Sequence, residues 1–128
     1  MTKTAFLFAG QGAQYLGMGR DLYDHYPIVK ETIDQASQVL GYDLRHLIDT
    51  EEEKLNQTRY TQPAILATSV AIYRLLQEKG YQPDMLAGLS LGEYSALVAS
   101  GALDFEDAVA LVAKRGAYME EAAPAGSG

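Results

Sequence analysis

Gly88-Leu89-Ser90-Leu91-Gly92 is a Gly-x-Ser-x-Gly pentapeptide, and that spacing suits a nucleophilic serine. An attacking hydroxyl must project clear of the chain that carries it, which a tight, strained strand-to-helix turn achieves. A Cβ at either glycine would collide with the neighbouring strand or helix. A helix beginning just after Ser90 aims free N–H groups and the positive end of its dipole at the reacting oxygen. The backbone N–H of Leu91 is then the natural donor to an oxyanion. The competing reading makes Ser90 a plain helix N-cap, a common role for serine.

A second glycine-rich stretch runs Phe8-Ala9-Gly10-Gln11-Gly12-Ala13-Gln14-Tyr15-Leu16-Gly17-Met18-Gly19. Glycines there let backbone N–H groups approach a ligand closely. A dinucleotide fingerprint would need a third glycine where Tyr15 stands, and no Gly-Lys-Ser/Thr follows for a P-loop, so residue types count against a nucleotide site. Arg115, in Lys114-Arg115-Gly116, carries a planar fork that can grip a carboxylate bidentately. Read on residue types alone it is a solvated helix arginine beside Lys114, within reach of glutamates. His25 and His46 both precede Ser90 in contexts that look like exposed helix ends, Asp24-His25-Tyr26-Pro27 and Arg45-His46-Leu47. Both read as surface residues.

The elements that must position these groups are two short strands and much helix. Ala5 to Ala9 is an apolar run stopped by Gly10, the pattern of a parallel strand buried on both faces. Met85 to Leu89, entered through Pro83-Asp84 and ended by Ser90, is the second. Pro27 opens a helix over Ile28–Leu40 that Gly41 closes. Asp43–Thr50 reads as a shorter helix and Glu51–Lys54 as a solvated acidic turn. Thr61–Lys79 is the strongest helical pattern, with Pro63 in its first turn, Gly80 past its end and apolar residues on more than one side, hence mostly buried. Leu91–Ser100 follows the second strand, and Asp104, with Asp107 three residues on, caps a last helix running to about Ala123.

The fold class is therefore α/β: a parallel sheet with flanking helices. Two parallel strands do not make a stable sheet alone, and the helices look too apolar to close on themselves. Residues 1–123 thus read as part of a larger α/β domain, and 124–128, Pro-Ala-Gly-Ser-Gly, as a loop leading onward. A small helical domain with a flexible tail is the alternative. Ten Lys and Arg against 17 Asp and Glu give a net charge of −7, which argues against nucleic-acid binding. The lack of cysteine excludes disulfides and thiolate metal sites. No run approaches the roughly 20 apolar residues of a membrane span, and the short apolar start is no secretory signal. A soluble, cytoplasmic protein is expected.

Three motifs in order, Phe8-Ala9-Gly10-Gln11-Gly12-Ala13-Gln14, Tyr60-Thr61-Gln62-Pro63-Ala64 and Gly88-Leu89-Ser90-Leu91-Gly92-Glu93-Tyr94-Ser95-Ala96-Leu97, followed by Lys114-Arg115-Gly116, resemble the malonyl-CoA:acyl-carrier-protein transacylases. The resemblance runs along essentially the whole chain, and the start at Met1 resembles the free-standing bacterial form. It implies an α/β-hydrolase-like domain, of which this chain is the N-terminal part. It also implies that Ser90 carries the malonyl group as an ester, that Gln11 and the Leu91 N–H form the oxyanion hole, and that Arg115 pairs with the malonyl carboxylate. The partners would be malonyl-CoA, acyl carrier protein and the remainder of the chain's own domain, with no nucleic acid, membrane, metal or bound cofactor.

Two departures stand out. The family commonly has His before the nucleophile, where Leu89 stands. Its general base is a His far downstream that this sequence does not contain, together with a ferredoxin-like small subdomain. Leu91 leans toward malonyl over methylmalonyl. The alternatives are a serine hydrolase of esterase or lipase type, and a non-catalytic piece that binds carrier protein. The acidity counts against the second, because carrier proteins are themselves acidic.

Overall fold

The computed structural model describes residues 5–83, 85–88 and 90–122. Strand β1 (Ala5–Phe8) is followed by α1 (Arg20–His25), α2 (Pro27–Leu40), α3 (Leu44–Thr50), α4 (Glu52–Leu55) and α5 (Thr58–Glu78). Strand β2 (Met85–Gly88), α6 (Leu91–Ala99) and α7 (Phe105–Ala122) complete the order. The two strands pair in parallel, with Ala5 opposite Met85 and Phe8 opposite Gly88. The helical crossover between them supplies most of the mass, so the chain is α/β with helix dominant. The Pro83-Asp84 entry to β2, the expected strand end at Leu89 and the tail at 124–128 touch residues outside those described.

Local chemistry explains most of the boundaries. Pro27 is the first residue of α2, and left-handed Gly41 ends it. Asp43 caps α3, its carboxylate accepting from the His46 N–H at 3.0 Å. Asp104 does the same for α7 through the Asp107 N–H at 3.4 Å. The acidic turn at 51–54 tightens into the single helical turn of α4, whose Leu55 is buried while Glu52, Glu53 and Lys54 stay exposed. Helix α1 has no side-chain cap and follows left-handed Gly19; no helix was expected there by name.

Helix α5 begins three residues earlier than expected, at Thr58, which places Pro63 inside it. Pro63 lacks the N–H that would have met the Arg59 carbonyl and its ring crowds that carbonyl, yet the helix continues through it to Glu78. Its Ala64, Ile65, Leu66 and Ala67 are consecutive and buried, the mark of a helix covered on several sides. Helices α2, α6 and α7 pack around it. Ile33 and Ala36 of α2, Ile48 of α3, Leu91 of α6 and Val109 and Val112 of α7 share its core.

The strands fare otherwise. The sequence predicts β1 buried on both faces, but only one face is covered: Phe6 and Phe8 meet the Tyr73 ring of α5 at 6.0 and 6.1 Å between centroids. Leu7, on the other face, is 80% exposed, and Met85 of β2 is 62% exposed. The described residues form a two-stranded sheet, and none of them covers Leu7 on that face. None of the described helices is long and apolar enough to cross a membrane.

Candidate functional site

Ser90 stands between β2 and α6 with φ 53° and ψ −115°, the only non-glycine with positive φ among the described residues. Such a conformation costs about 1–3 kcal/mol and persists only where its surroundings enforce it. Two glycines are part of that enforcement. A Cβ on Gly88 would run into the Gly92 carbonyl, and a Cβ on Gly92 into the carbonyl of Phe8. The elbow therefore closes only with glycine at both positions, as the spacing predicts.

The N-cap reading of Ser90 fails. Its side chain makes no capping bond to the first turn of α6; only its backbone carbonyl joins the helix, accepting from the Glu93 N–H at 3.0 Å. The hydroxyl is exposed and accepts from Arg115 Nη2 at 3.1 Å. The Leu91 N–H lies in the first turn of α6, where backbone donors have no intrahelical acceptor. Leu91's own side chain is buried and anchors that turn.

Arg115 is not a solvated arginine. It is half-buried on α7, donating through Nη1 to Gln62 Oε1 at 2.9 Å as well as to Ser90. The Tyr94 ring lies 5.5 Å from its guanidinium carbon. Among the described residues no carboxylate comes within ion-pair distance of it, whereas Arg20, Arg45 and Arg59 all have acidic partners. A cation held by neutral groups beside an exposed serine hydroxyl is free to receive an anionic ligand.

Gln62 is the residue that the sequence reading left without a role. It is completely buried and uses both ends of its amide, accepting from Arg115 while Nε2 donates to Met119 Sδ at 3.0 Å. Its signal was a lone amide between Thr61 and the apolar run from Pro63 to Leu66, a position that burial punishes unless the amide is hydrogen-bonded. Tyr94, four residues after Ser90, likewise owes its place here to Arg115, whose guanidinium its ring faces.

Gln11 and Ser90 line one cleft of about 550 Å³ at the carboxyl ends of both strands, with Leu7, Phe8, Gly10, Ala87 and Gly88. Crevices beyond the carboxyl ends of parallel strands are where α/β proteins bind ligands. The Gln11 side chain donates through Nε2 to Thr58 Oγ1 at 3.0 Å. His25 and His46 are both exposed, contacting the Asp21 carbonyl and Thr50 Oγ1, and neither lines this cleft. No group of three or more His, Asp or Glu able to hold a metal occurs among the described residues.

The acyl transferase domain model matches residues 5–128. The malonyl CoA-acyl carrier protein transacylase of Haemophilus influenzae is 56% identical over the whole chain, which covers 42% of that protein. The Bacillus subtilis protein of the same name is 52% identical, with 41% of its length covered. The crystal structure of MCAT from Streptococcus pneumoniae superposes with a TM-score of 0.94 at 95% identity, over 95% of this chain and 40% of that one. A malonyl-transacylase in complex with a type II polyketide synthase acyl-carrier protein matches at 0.92 and 53% identity, over 96% and 40%. The chain thus spans about two fifths of the length of these relatives.

Proposed function

Since the chain belongs to the acyl transferase domain family, we propose that it is the N-terminal part of an enzyme moving malonyl from malonyl-CoA to the phosphopantetheine thiol of acyl carrier protein, for fatty acid synthesis. Residues 1–123 are then part of its large α/β subdomain and 124–128 lead into the rest. The observation that carries this reading is Arg115 beside Ser90, a carboxylate-binding fork 3.1 Å from the nucleophile. An esterase acting on neutral acyl chains has no use for a cation there, so this contact disfavours the hydrolase. A carrier-binding piece without chemistry would need neither the strained elbow nor the fork.

Ser90 attacks the thioester carbonyl, its proton passing to a base that the family keeps in its downstream half. The tetrahedral oxyanion is held by the backbone N–H groups of Leu91 and Gln11, each worth roughly 3 kcal/mol in comparable sites. Coenzyme A leaves as the thiol, and the carrier-protein thiol then attacks the seryl ester and frees Ser90. Gln62 retains Arg115 Nη1 throughout, so Nη2 can trade the Ser90 hydroxyl for the malonyl carboxylate. No metal or bound cofactor enters these steps. The cytoplasm, where both substrates would be met, is the compartment that this reaction implies.

The test is intact-mass and peptide mass spectrometry of the full-length enzyme after malonyl-CoA. A malonyl adduct on the Ser90 peptide, absent in Ser90→Ala, is expected. An adduct that persists in the variant, or that maps to another peptide, overturns the assignment.

A further inference from the structure

We infer that Thr58, the first residue of α5, is a positioning residue that fixes the oxyanion-binding N–H of Gln11. The inference rests on the reaction just proposed. Gln11 sits exposed between Gly10 and Gly12, in a tight turn closed only by the Ala13 N–H to the Gly10 carbonyl at 3.3 Å. Its side-chain amide gives one of its two N–H groups to Thr58 Oγ1 at 3.0 Å, which ties the residue to α5, while its backbone N–H bonds to no other described residue. Three residues on, Gln14 repeats the device. Its Nε2 donates to Asn56 Oδ1 at 3.0 Å, and its Oε1 accepts from the Gly12 N–H at 2.8 Å. The loop is thereby pinned at two points on the α4–α5 junction.

That junction is itself fixed to the helix bearing the carboxylate fork. Glu120 of α7 accepts from the backbone N–H of Arg59 at 2.9 Å and pairs with its guanidinium at 2.6 Å. The first turn of α5 is therefore a shared anchor: Thr58 holds the oxyanion loop, and its neighbour Arg59 holds α7. Without the Thr58 hydroxyl, the Gln11 side chain is released and, of its two ties to the α4–α5 junction, the loop keeps the one through Gln14. A displaced donor is felt chiefly in the transition state, where the oxyanion exists, so the loss falls on kcat and leaves KM almost untouched.

The experiment uses the full-length enzyme with malonyl-CoA and carrier protein, comparing wild type, Thr58→Val, Thr58→Ser, Gln11→Ala and the Thr58→Val/Gln11→Ala pair. Circular dichroism melts establish that each variant folds. Expected are a roughly tenfold fall in kcat for Thr58→Val with KM within about twofold, recovery of most of that rate in Thr58→Ser, and no further loss in the double variant beyond Gln11→Ala. Thr58→Val at the wild-type rate, losses that multiply in the double variant, or a rise in KM alone would overturn the positioning role. A Ser90→Ala enzyme that still transfers malonyl would instead bring down the reaction reading itself, and the inference with it.

Discussion

Gly116 of α7 faces Thr58 of α5 so closely that a Cβ on Gly116 would stand 2.7 Å from the Thr58 carbonyl oxygen and 2.8 Å from the Arg59 Cα. Both neighbours are backbone, so neither can swing aside. Arg115 is the preceding residue, and this glycine sets how near its helix comes to Gln62.

Gly116→Ala should therefore destabilise the enzyme despite alanine's better helix propensity. The propensity gain is about 1 kcal/mol, while forcing apart packed backbones costs typically 1–3 kcal/mol. With α7 displaced, Arg115 should grip its ligand less well. Thermal melting and the KM for malonyl-CoA are the measurements; a lower Tm with a raised KM is expected, and a stabilised enzyme with unchanged KM would contradict the packing argument.

Arg115→Ala should cut malonyl transfer by about two orders of magnitude while leaving acetyl transfer nearly intact. A buried charge-assisted pair is worth roughly 2–5 kcal/mol when one partner is removed, and acetyl has no carboxylate to lose. Competition between the two acyl-CoAs reads the ratio directly. Equal losses on both would make Arg115 a structural support for Ser90 and Gln62. Arg115→Lys should recover little, because an ammonium cannot hold Gln62 and a carboxylate with the same planar geometry.

Much of this was legible in the sequence where a residue has a backbone job. Gly88 and Gly92 declare a crowded turn, Pro27 and Gly41 bracket α2, and Asp43 and Asp104 cap their helices. Residue types alone leave open what partners distant in sequence decide. Ser90 looks like a cap until Arg115, on another helix, is seen to take its hydroxyl. Arg115 looks solvated until Gln62 and Tyr94 surround it. Pro63 looks like a helix start because propensity cannot weigh one lost bond against a helix buried on several sides. The apolar run of β1 records what the strand can bury, and among the described residues only one of its faces is covered.

The Asp49 carboxylate should govern acid sensitivity on the α1–α3 side. Partial burial alone would raise its pKa, but hydrogen bonds from Arg45 and Arg20 outweigh that and hold it below the usual range. A lowered folded-state pKa means stability present above the unfolded value of about 3.9 and lost as pH falls through the lower folded value. Asp49→Asn should cost roughly 3 kcal/mol at neutral pH, because it strands the buried Arg45. Its deficit against wild type should shrink as pH drops below 4. Melting temperatures at pH 7 and pH 3 test this; a deficit that does not change with pH would show that charge is not the cause.

Residues 1–128 produced alone should keep their helices yet associate through the strand pair. The helical core around α5 is continuous, from Ile33 and Ile48 to Val109 and Val112, so far-ultraviolet circular dichroism should report folded helix. The weak place is the sheet, where Leu7 and Met85 stand 80% and 62% exposed on a two-stranded ribbon. Apolar patches and open strand edges of this kind recruit other chains. Size exclusion should show oligomers, and Leu7→Lys, placing a charge on the uncovered face, should shift them toward monomer without altering the helical signal. Malonyl transfer should be undetectable, since neither His25 nor His46 lines the Ser90 cleft. A monomer that melts cooperatively would mean that the strand pair needs no cover, and transfer by that monomer would mean that one of those histidines reaches Ser90.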